Sequence, residues 1–348
     1  MSLPLIVTGM HRSGTSLIAS LIKVIGVELG DRLYQADCFN VKGYFEDLDF
    51  LEFQRSLLQE SCPPGDPGWP DWGWTEQESL KVDHFQTGLA TAQGLIDSRN
   101  AQGGLWGWKD PRTSLMLDFW QQLLPDARYL FVYRLPWDVV DSILRLNSGI
   151  FSQRPDYAIR SWAYYNRHIL DFYRRYPDRC LLVNINALLA QPTQLVKLLE
   201  TKLNLPVKSG LDDSGFQSIY DPNLFQQLPH DRPLVRFLQH PELPYLSILE
   251  ELDWTADLPS HFTPEPQSDS LPLEIYPLWL HHETVQGKIQ LETLANSAAG
   301  LVEIQAQCDR LREQIAGMET SKFWKLKVKW SELKGAVART INLKSSQL

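Results

Sequence analysis

The chain has 348 residues, with 42 acidic against 33 basic side chains and a formal net charge of -9. Its composition, 43% hydrophobic and 22% charged, is that of an ordinary globular protein and excludes a wholly disordered chain, a collagen-like repeat and a coiled rod. A chain of this length buries enough surface to fold without a disulfide or a metal, and the negative charge argues against bulk electrostatic binding to nucleic acid.

The cysteines predict reduced thiols and no metal centre. Cys38, Cys62, Cys180 and Cys308 lie far apart, with no CxxC pair and no histidine spaced to complete a zinc site. No apolar run approaches the ~20 residues that span a bilayer, and no basic region precedes the first apolar run. We therefore expect a cytoplasmic protein without a signal peptide or a membrane span.

Short apolar runs alternate with helical patterns through the first two thirds of the chain. The predicted strands cover residues 3–8, 128–133 and 180–185. The predicted helices cover residues 17–25, a segment opened by Pro136, and residues 193–203. This alternation predicts an α/β fold, a P-loop-type parallel sheet covered by helices on both faces.

The pattern changes after residue 258. Residues 259–277 carry five prolines and predict a linker between a domain of residues 1–258 and a helical extension of residues 278–348. A short heptad seam in the extension favours either a coiled coil that self-associates or a helix packed on its own domain; it comprises Leu301, Ile304, Cys308, Leu311, Ile315 and Met318. From Lys322 onward the tail has seven basic and one acidic side chain, and it could contact a membrane surface or an acidic partner, or simply be solvated. Together with the heptad seam, this predicts self-association, or membrane or partner contact, through residues 285–330.

The segment GMHRSGTS, residues 9–16, lies between the first strand and the first helix. Two glycines five positions apart, Gly9 and Gly14, let the backbone N–H groups point into one concavity, and the helix adds its positive end. This frame predicts a phosphate-binding loop with the candidate residues His11, Arg12, Ser13, Gly14, Thr15 and Ser16. Thr15 stands where a Walker A loop has lysine, and the fixed cation is Arg12, which argues against phosphoryl transfer around Mg²⁺.

A second phosphate site is predicted at the end of the strand at residues 128–133. Arg134 follows this strand, Pro136 sets the turn, and Ser142 lies eight residues after Arg134 on the next helix. An arginine fork and a hydroxyl there suit a separate phosphate, and ligands of doubly wound sheets lie beyond the carboxyl ends of the strands. The alternative is that Arg134 makes a surface salt bridge.

These motifs resemble the PAPS-dependent sulfotransferase family, in its bacterial branch. GMHRSGTSLIASLI is similar to the family's 5′-phosphosulfate loop, and FVYRLPWDVVDSILR is similar to its 3′-phosphate motif. WKDPR, residues 108–112, and LLVNINALLAQPTQLVKLLETKLNLPV resemble two further family segments, so the resemblance covers about residues 3–210. It implies an enzyme that transfers a sulfuryl group from PAPS to a hydroxyl of a carbohydrate or peptide-like acceptor and releases PAP, with no metal.

The chain departs from the family pattern at three places. Arg12 stands where many members carry lysine, so Arg12 is a candidate catalytic cation without a role in proton delivery. Asn184-Ile185-Asn186 replaces the more usual Tyr-Glu-Asp, and no late glycine-rich cofactor loop is present. The adenine contacts are therefore not predicted.

Sulfuryl transfer needs a base for the acceptor hydroxyl, and Glu46 is the candidate. It follows Tyr44 and Phe45, whose rings would bury a carboxylate. Asp47 and His11 are the alternative bases. Glu46 could instead cap the next helix. By resemblance, Lys109 would stabilise charge on the bridging oxygen or the sulfuryl group. Arg112 would act beside it or pair with Asp110. Three tryptophans in GWPDWGW, Trp69, Trp72 and Trp74, suggest an acceptor wall or core packing.

Two rival functions stay open from the sequence. The first is a P-loop kinase or NTPase, which the missing Walker lysine disfavours. The second is a non-catalytic interaction protein that uses the C-terminal helix. Dependence on Mg²⁺ separates the first rival from a sulfotransferase, and loss of all activity on removal of residues after Pro277 would indicate the second.

Overall fold

A computed structural model describes residues 3–36, 43–146, 148, 150–151, 154–207, 216, 219–222, 225–241 and 243–264. The predicted C-terminal extension, its heptad seam and its basic tail lie outside the described residues, as does the predicted linker from residue 265 onward. No helix in the described ranges is both long enough and apolar enough to cross a membrane.

The centre of the fold is a sheet of four parallel strands in the order β2-β1-β3-β4. The strands are β1 Leu3–Thr8, β2 Leu105–Lys109, β3 Arg128–Tyr133 and β4 Cys180–Asn184. The predicted parallel α/β sheet is therefore confirmed. The strand β2 is not predicted from the sequence, because LWGWK contains glycine and no β-branched residue. From β1 the chain continues to β2 on one side of β1, and β3 then lies on the other side of β1. This change of direction creates a crevice that suits a ligand between the ends of β1 and β3.

Helices cover both faces of the sheet. The α-helices are α1 Thr15–Val24, α2 Leu48–Glu60, α3 Leu89–Asn100, α4 Leu117–Leu123, α5 Pro136–Leu144, α6 Asp156–Arg175, α7 Ile185–Ala190, α8 Thr193–Thr201, α9 Pro233–Leu238 and α10 Pro244–Thr255. Short 3-10 turns lie at Glu76–Glu78, Val82–Gly88, Pro111–Leu115 and Pro177–Arg179. The predicted third strand ends one residue early because the Asn184 side chain accepts backbone N–H bonds from Asn186 (2.9 Å) and Ala187 (3.2 Å) and starts α7.

The period-two alternation of each strand separates two cores. In β3, Leu130 and Val132 face an aliphatic core that they share with α1, α7 and α8. Tyr129, Phe131 and Tyr133 face the opposite core, which is rich in aromatic rings and is covered by α2, α4, α5 and α6. Both faces of the sheet are buried, as a parallel sheet requires, and the open end of the sheet is left for ligands.

The chain after α10 packs back onto the edge of the sheet. The Asn184 backbone N–H donates to Leu258 O (2.8 Å), and Asp253 accepts from the Ser260 hydroxyl (2.5 Å). The Phe262 ring lies 4.9 Å from the Trp137 ring, edge to face. The first four residues of the predicted linker thus belong to the same packed unit as the sheet.

Gly107 in β2 should be intolerant of a side chain. A Cβ at this position would lie 1.8 Å from Leu5 O, and Leu5 cannot retreat because it also pairs with Arg128 in β3. We expect Gly107→Ala to lower the free energy of unfolding by about 1–3 kcal/mol in urea titrations. Gly94→Ala, in α3 with no atom near its Cβ, is the matched control and should stabilise by up to about 1 kcal/mol. Equal effects of the two changes would contradict this packing.

Candidate active site

A cavity of about 710 Å³ lies beyond the carboxyl ends of β1, β2 and β3. Of the residues predicted for the phosphate loop, the second phosphate site, the base and the lysine cation, all but Ser13 line it: His11, Arg12, Gly14, Thr15, Ser16, Glu46, Lys109, Arg134 and Ser142. The alternative base Asp47 and two of the three predicted tryptophans do not. Residues that are distant in the chain therefore meet in one place. Arg55 and Arg145 also line the cavity, and neither is predicted from the sequence.

The loop between β1 and α1 is tight because one glycine approaches backbone and the other approaches a buried side chain. A Cβ at Gly9 would lie 2.1 Å from Val132 O, and a Cβ at Gly14 would lie 2.6 Å from the Ile185 side chain. Gly14 also has a left-handed backbone, with φ of 92°, at the N-cap of α1. The Ser13 hydroxyl is buried and has no hydrogen-bond partner among the described residues. The first N–H groups of α1 have no acceptor within the helix itself, so with the Ser13 hydroxyl they form a cradle that suits an anion.

Arg12 joins the two predicted phosphate motifs. Its Nε donates to Ser142 Oγ (3.0 Å) on α5, and its carbonyl oxygen accepts from Arg134 Nη1 (3.3 Å). Its φ of 66° is unusual for a residue with a side chain. The pairing between Arg12 and Ser142 could not be expected from the sequence, because it spans 130 positions.

Arg134 is buried rather than at the surface. Its Nε lies 3.8 Å from Asp138 Oδ2, and its Nη2 donates to the Gln226 carbonyl. The guanidinium also lies over the Phe225 ring, 5.7 Å from its centroid. Burial lowers the pKa of Arg134 from its ordinary value, and Asp138 opposes this shift. A buried arginine at the cavity wall beside the loop is compatible with the predicted second phosphate site.

A buried ion cluster occupies the far wall of the cavity. Lys109 Nζ, at the end of β2, donates to Glu46 Oε1 (2.8 Å), to Tyr44 O (3.1 Å) and to Ser16 Oγ (3.3 Å). Arg112 Nη1 lies 3.6 Å from the other carboxylate oxygen of Glu46. Two cations therefore hold one carboxylate, and Lys109 connects that carboxylate to the anion-binding loop.

The turn after β2 fixes these cations through buried polar contacts. Asp110 Oδ1 accepts from the backbone N–H and from Nη1 of Arg112 (both 2.9 Å), and Asp110 Oδ2 accepts from Gln54 Nε2 (2.9 Å). The Thr8 hydroxyl, at the end of β1, donates to Asp110 O (2.8 Å). Burial raises the pKa of Asp110 to about 6, with Arg112 opposing the shift. Gln54 is not predicted from the sequence, because the only indication of its role is that a polar residue stands on the apolar face of a helix.

Asp47, the alternative base, has a structural role. Its Oδ1 accepts from the Asp49 N–H (3.0 Å) and caps α2, while its Oδ2 accepts from Arg99 Nε (3.0 Å). Asp47 is buried and is absent from the cavity wall. The cap of α2 is therefore Asp47 and not Glu46, which leaves Glu46 with its carboxylate at the cavity.

Only one of the three predicted wall tryptophans reaches the cavity. Trp72 lines it and packs edge to face on Phe151 at 5.5 Å. Trp74 is wholly buried, and Trp69 is largely exposed. We refer to residues 69–73 as the Trp72 loop; it is closed by hydrogen bonds from the Trp69 N–H to Gly73 O (3.1 Å) and from the Gly73 N–H to Trp69 O (2.7 Å).

The fold and the site together define an α/β protein with a tight loop after its first strand that suits an anion, and with a buried carboxylate between cations. A family model described as "Sulfotransferase family" matches residues 4–209, more than half of the chain. The chain therefore belongs to the sulfotransferase family, and it is an enzyme of that class. No curated protein matches the chain. Within the described ranges, no group of three potential metal ligands is found.

Three solved structures resemble the chain. The sulfotransferase domain of the Synechococcus PCC 7002 olefin synthase is 20% identical with a TM-score of 0.40, over 74% of this chain and 96% of that one. Sulfotransferase STF1 of Mycobacterium tuberculosis H37Rv is 15% identical with a TM-score of 0.38, over 72% and 76%. Sulfotransferase STF9 of Mycobacterium avium is 17% identical with a TM-score of 0.36, over 63% and 67%.

His11 should remain neutral well into the acid range. Burial lowers its pKa far below the ordinary value of 6.5, and Arg112, Lys109 and Arg12 lower it further. Below pH 6.5 the unfolded chain binds a proton at His11 that the folded protein does not bind, so this group lowers the free energy of unfolding as the pH falls. Nitrogen NMR of the imidazoles, assigned with His11→Gln, should show no titration of His11 between pH 7 and 6. An inflection near its ordinary value would contradict the burial.

Proposed function

We propose that the protein transfers the sulfuryl group of PAPS to a hydroxyl of a carbohydrate or peptide-like acceptor and releases PAP. The observation that carries the proposal is the position of Lys109, whose Nζ contacts both Ser16 of the anion-binding loop and the Glu46 carboxylate. A donor anion held by the loop and an acceptor hydroxyl at Glu46 would meet at this cation.

The residues present fit PAPS as the donor substrate. The Ser13 hydroxyl, buried without a partner among the described residues, and the N–H groups at the start of α1 would be donors for the 5′-phosphosulfate. Arg134 and Ser142 are assigned to the 3′-phosphate, with Arg12 between the two anionic groups. The cavity of about 710 Å³ has room for a nucleotide and part of an acceptor.

In the proposed reaction the acceptor oxygen attacks sulfur in line while the bond between sulfur and the bridging oxygen breaks. Glu46 accepts the hydroxyl proton, and the electron pair of the broken bond stays on the phosphate of PAP. Lys109 stabilises the charge that develops on the bridging oxygen, and Arg12 contributes a second positive charge. Catalysis is then mainly positioning and electrostatics, as in phosphoryl transfer.

The acceptor would enter beside the Trp72 loop. Trp72 offers an aromatic face to a sugar ring or a peptide side chain, and Asp71 and Arg55 offer a carboxylate and a guanidinium next to it. The coiled coil, self-association or membrane contact through residues 285–330, and the cytoplasmic location stay predictions.

Calorimetry with PAP tests the donor. We expect PAP to bind and ATP to bind more weakly, since no lysine stands at the Walker position. Arg12→Ala should weaken PAP by about 1.5–3 kcal/mol, the value of a charged hydrogen bond, whereas Arg32→Ala, which removes an exposed arginine outside the cavity wall, should not. Tighter binding of ATP with Mg²⁺ than of PAP would favour the kinase alternative.

Glu46→Gln tests the base. Glutamine keeps the shape and the hydrogen bonding of glutamate but cannot accept the acceptor proton. Turnover of PAPS, measured as PAP release with an acceptor found by screening sugars and peptides, should fall by about 10²–10⁴-fold, with PAP affinity retained. Glu52→Gln, on the outer surface of α2, is the matched control and should leave turnover unchanged. Turnover within a few-fold of the parent in Glu46→Gln would remove Glu46 from the proton transfer.

A further inference from the structure

Arg112 is in contact with both walls of the acceptor side of the cavity. On one side its Nη1 lies 3.6 Å from Glu46 Oε2. On the other side its Nε donates to Pro70 O (2.8 Å), and its Nη2 lies 3.9 Å from Asp71 Oδ1. Pro70 and Asp71 belong to the Trp72 loop. One guanidinium therefore connects the candidate base to the loop that carries Trp72.

The rest of the turn holds this guanidinium in place. Asp110 accepts from the Arg112 side chain and backbone, both at 2.9 Å, and is itself bonded to Gln54 (2.9 Å). Arg112 is 3% exposed, so its charge is stabilised by these carboxylates and not by water. Burial opposes the charged form of Arg112, but Asp110 and Glu46 outweigh it and raise its pKa.

The contact set requires a planar fork with several donors. Nε, Nη1 and Nη2 each face a different partner: Pro70 O, the carboxylates of Asp110 and Glu46, and Asp71. A lysine ammonium keeps the charge but is a single point at the end of a flexible stem, so it cannot contact all of them. A purely structural partner of Asp110 would not need the contacts to Glu46 and the loop.

The Trp72 loop has a second, independent contact that leaves Glu46 untouched. Arg55 on α2 pairs with Asp71 and with Glu52 (3.2 Å). Removing Arg55 therefore loosens the loop by a route that does not pass through Arg112. This gives a matched control on the same loop residue.

We propose that Arg112 is a positioning residue that couples the seating of the Trp72 loop to the placement of the Glu46 carboxylate. When the loop is seated, Pro70 O holds Arg112. Arg112 in turn holds Oε2 of Glu46, whereas Lys109 donates to Oε1. Acceptor binding against Trp72 would then align the base. The role in catalysis rests on the proposed function, whereas the coupling itself is a property of the folded protein.

Hydrogen exchange of the Trp72 loop tests the coupling without any turnover. The amides of Trp69, Trp72 and Gly73 are hydrogen-bonded within the loop, so their exchange reports on its seating. Glu46→Gln should speed their exchange by at least about threefold in the full-length protein, the scale of coupling within one polar network. In an Arg112→Lys background, Glu46→Gln should have no further effect, while in an Arg55→Lys background its effect should persist.

The outcomes are separable. Unchanged loop exchange in Glu46→Gln overturns the proposal even if Arg112→Lys fails to fold, and additive effects of the two changes overturn it as well. In turnover of PAPS with water as the acceptor, followed as PAP release, Arg112→Lys should lower kcat at least about tenfold with KM for PAPS within twofold. A higher KM for PAPS in Arg112→Lys with kcat unchanged would contradict a positioning role. Absence of PAPS turnover in the parent protein would count against the proposed function, and the exchange result would still decide the coupling.

Discussion

The burial of the Glu46 carboxylate between Lys109 and Arg112 constrains the whole active site. A carboxylate in this position is expensive to desolvate unless cations and hydrogen bonds replace the lost water. Lys109 lies at the end of β2, Arg112 lies in the turn after β2, and Glu46 lies just before α2. These three segments must be in register for the charges to pair. Because Lys109 also contacts Ser16, the same requirement fixes the anion-binding loop relative to the candidate base.

Local backbone strain accompanies this arrangement. Arg12 and Phe45 have left-handed backbones, with φ of 66° and 58°, and each is adjacent to the site: Arg12 within the loop and Phe45 next to Glu46. Such conformations cost of order 1–3 kcal/mol each and persist only where the surrounding structure enforces them. Here the hydrogen bond from Arg12 to Ser142 and the bond from the Tyr34 N–H to Glu46 O (2.7 Å) hold the two segments in place. The strained residues thus adjoin a guanidinium and a carboxylate that line the same cavity.

The sequence predicts the parts of this site that are local, and it misses those that depend on pairing at a distance. The strands at residues 3–8 and 128–133 and the loop of residues 9–16 follow from short-range patterns, and the structure has them at those positions. The contact of Arg112 with Pro70 spans 42 positions, and the contact of Arg12 with Ser142 spans 130. Neither residue type nor spacing indicates such partners, because the sheet order that creates them is a property of the whole fold. The strand β2 is missed for a local reason, since its sequence LWGWK contains glycine and no β-branched residue.

A crystal structure of the protein with PAP is the most direct test of the central claim that the loop and Lys109 hold the donor beside the Glu46 carboxylate. The account predicts the 5′-phosphate of PAP within hydrogen-bond distance of the backbone N–H groups at Ser13–Ser16, with Lys109 Nζ beside it. It also predicts the Glu46 carboxylate within about 8 Å of the place where the sulfuryl group would lie, close enough for proton transfer directly or through one water. PAP bound elsewhere in the cavity, or a Glu46 carboxylate beyond that distance, would contradict the account.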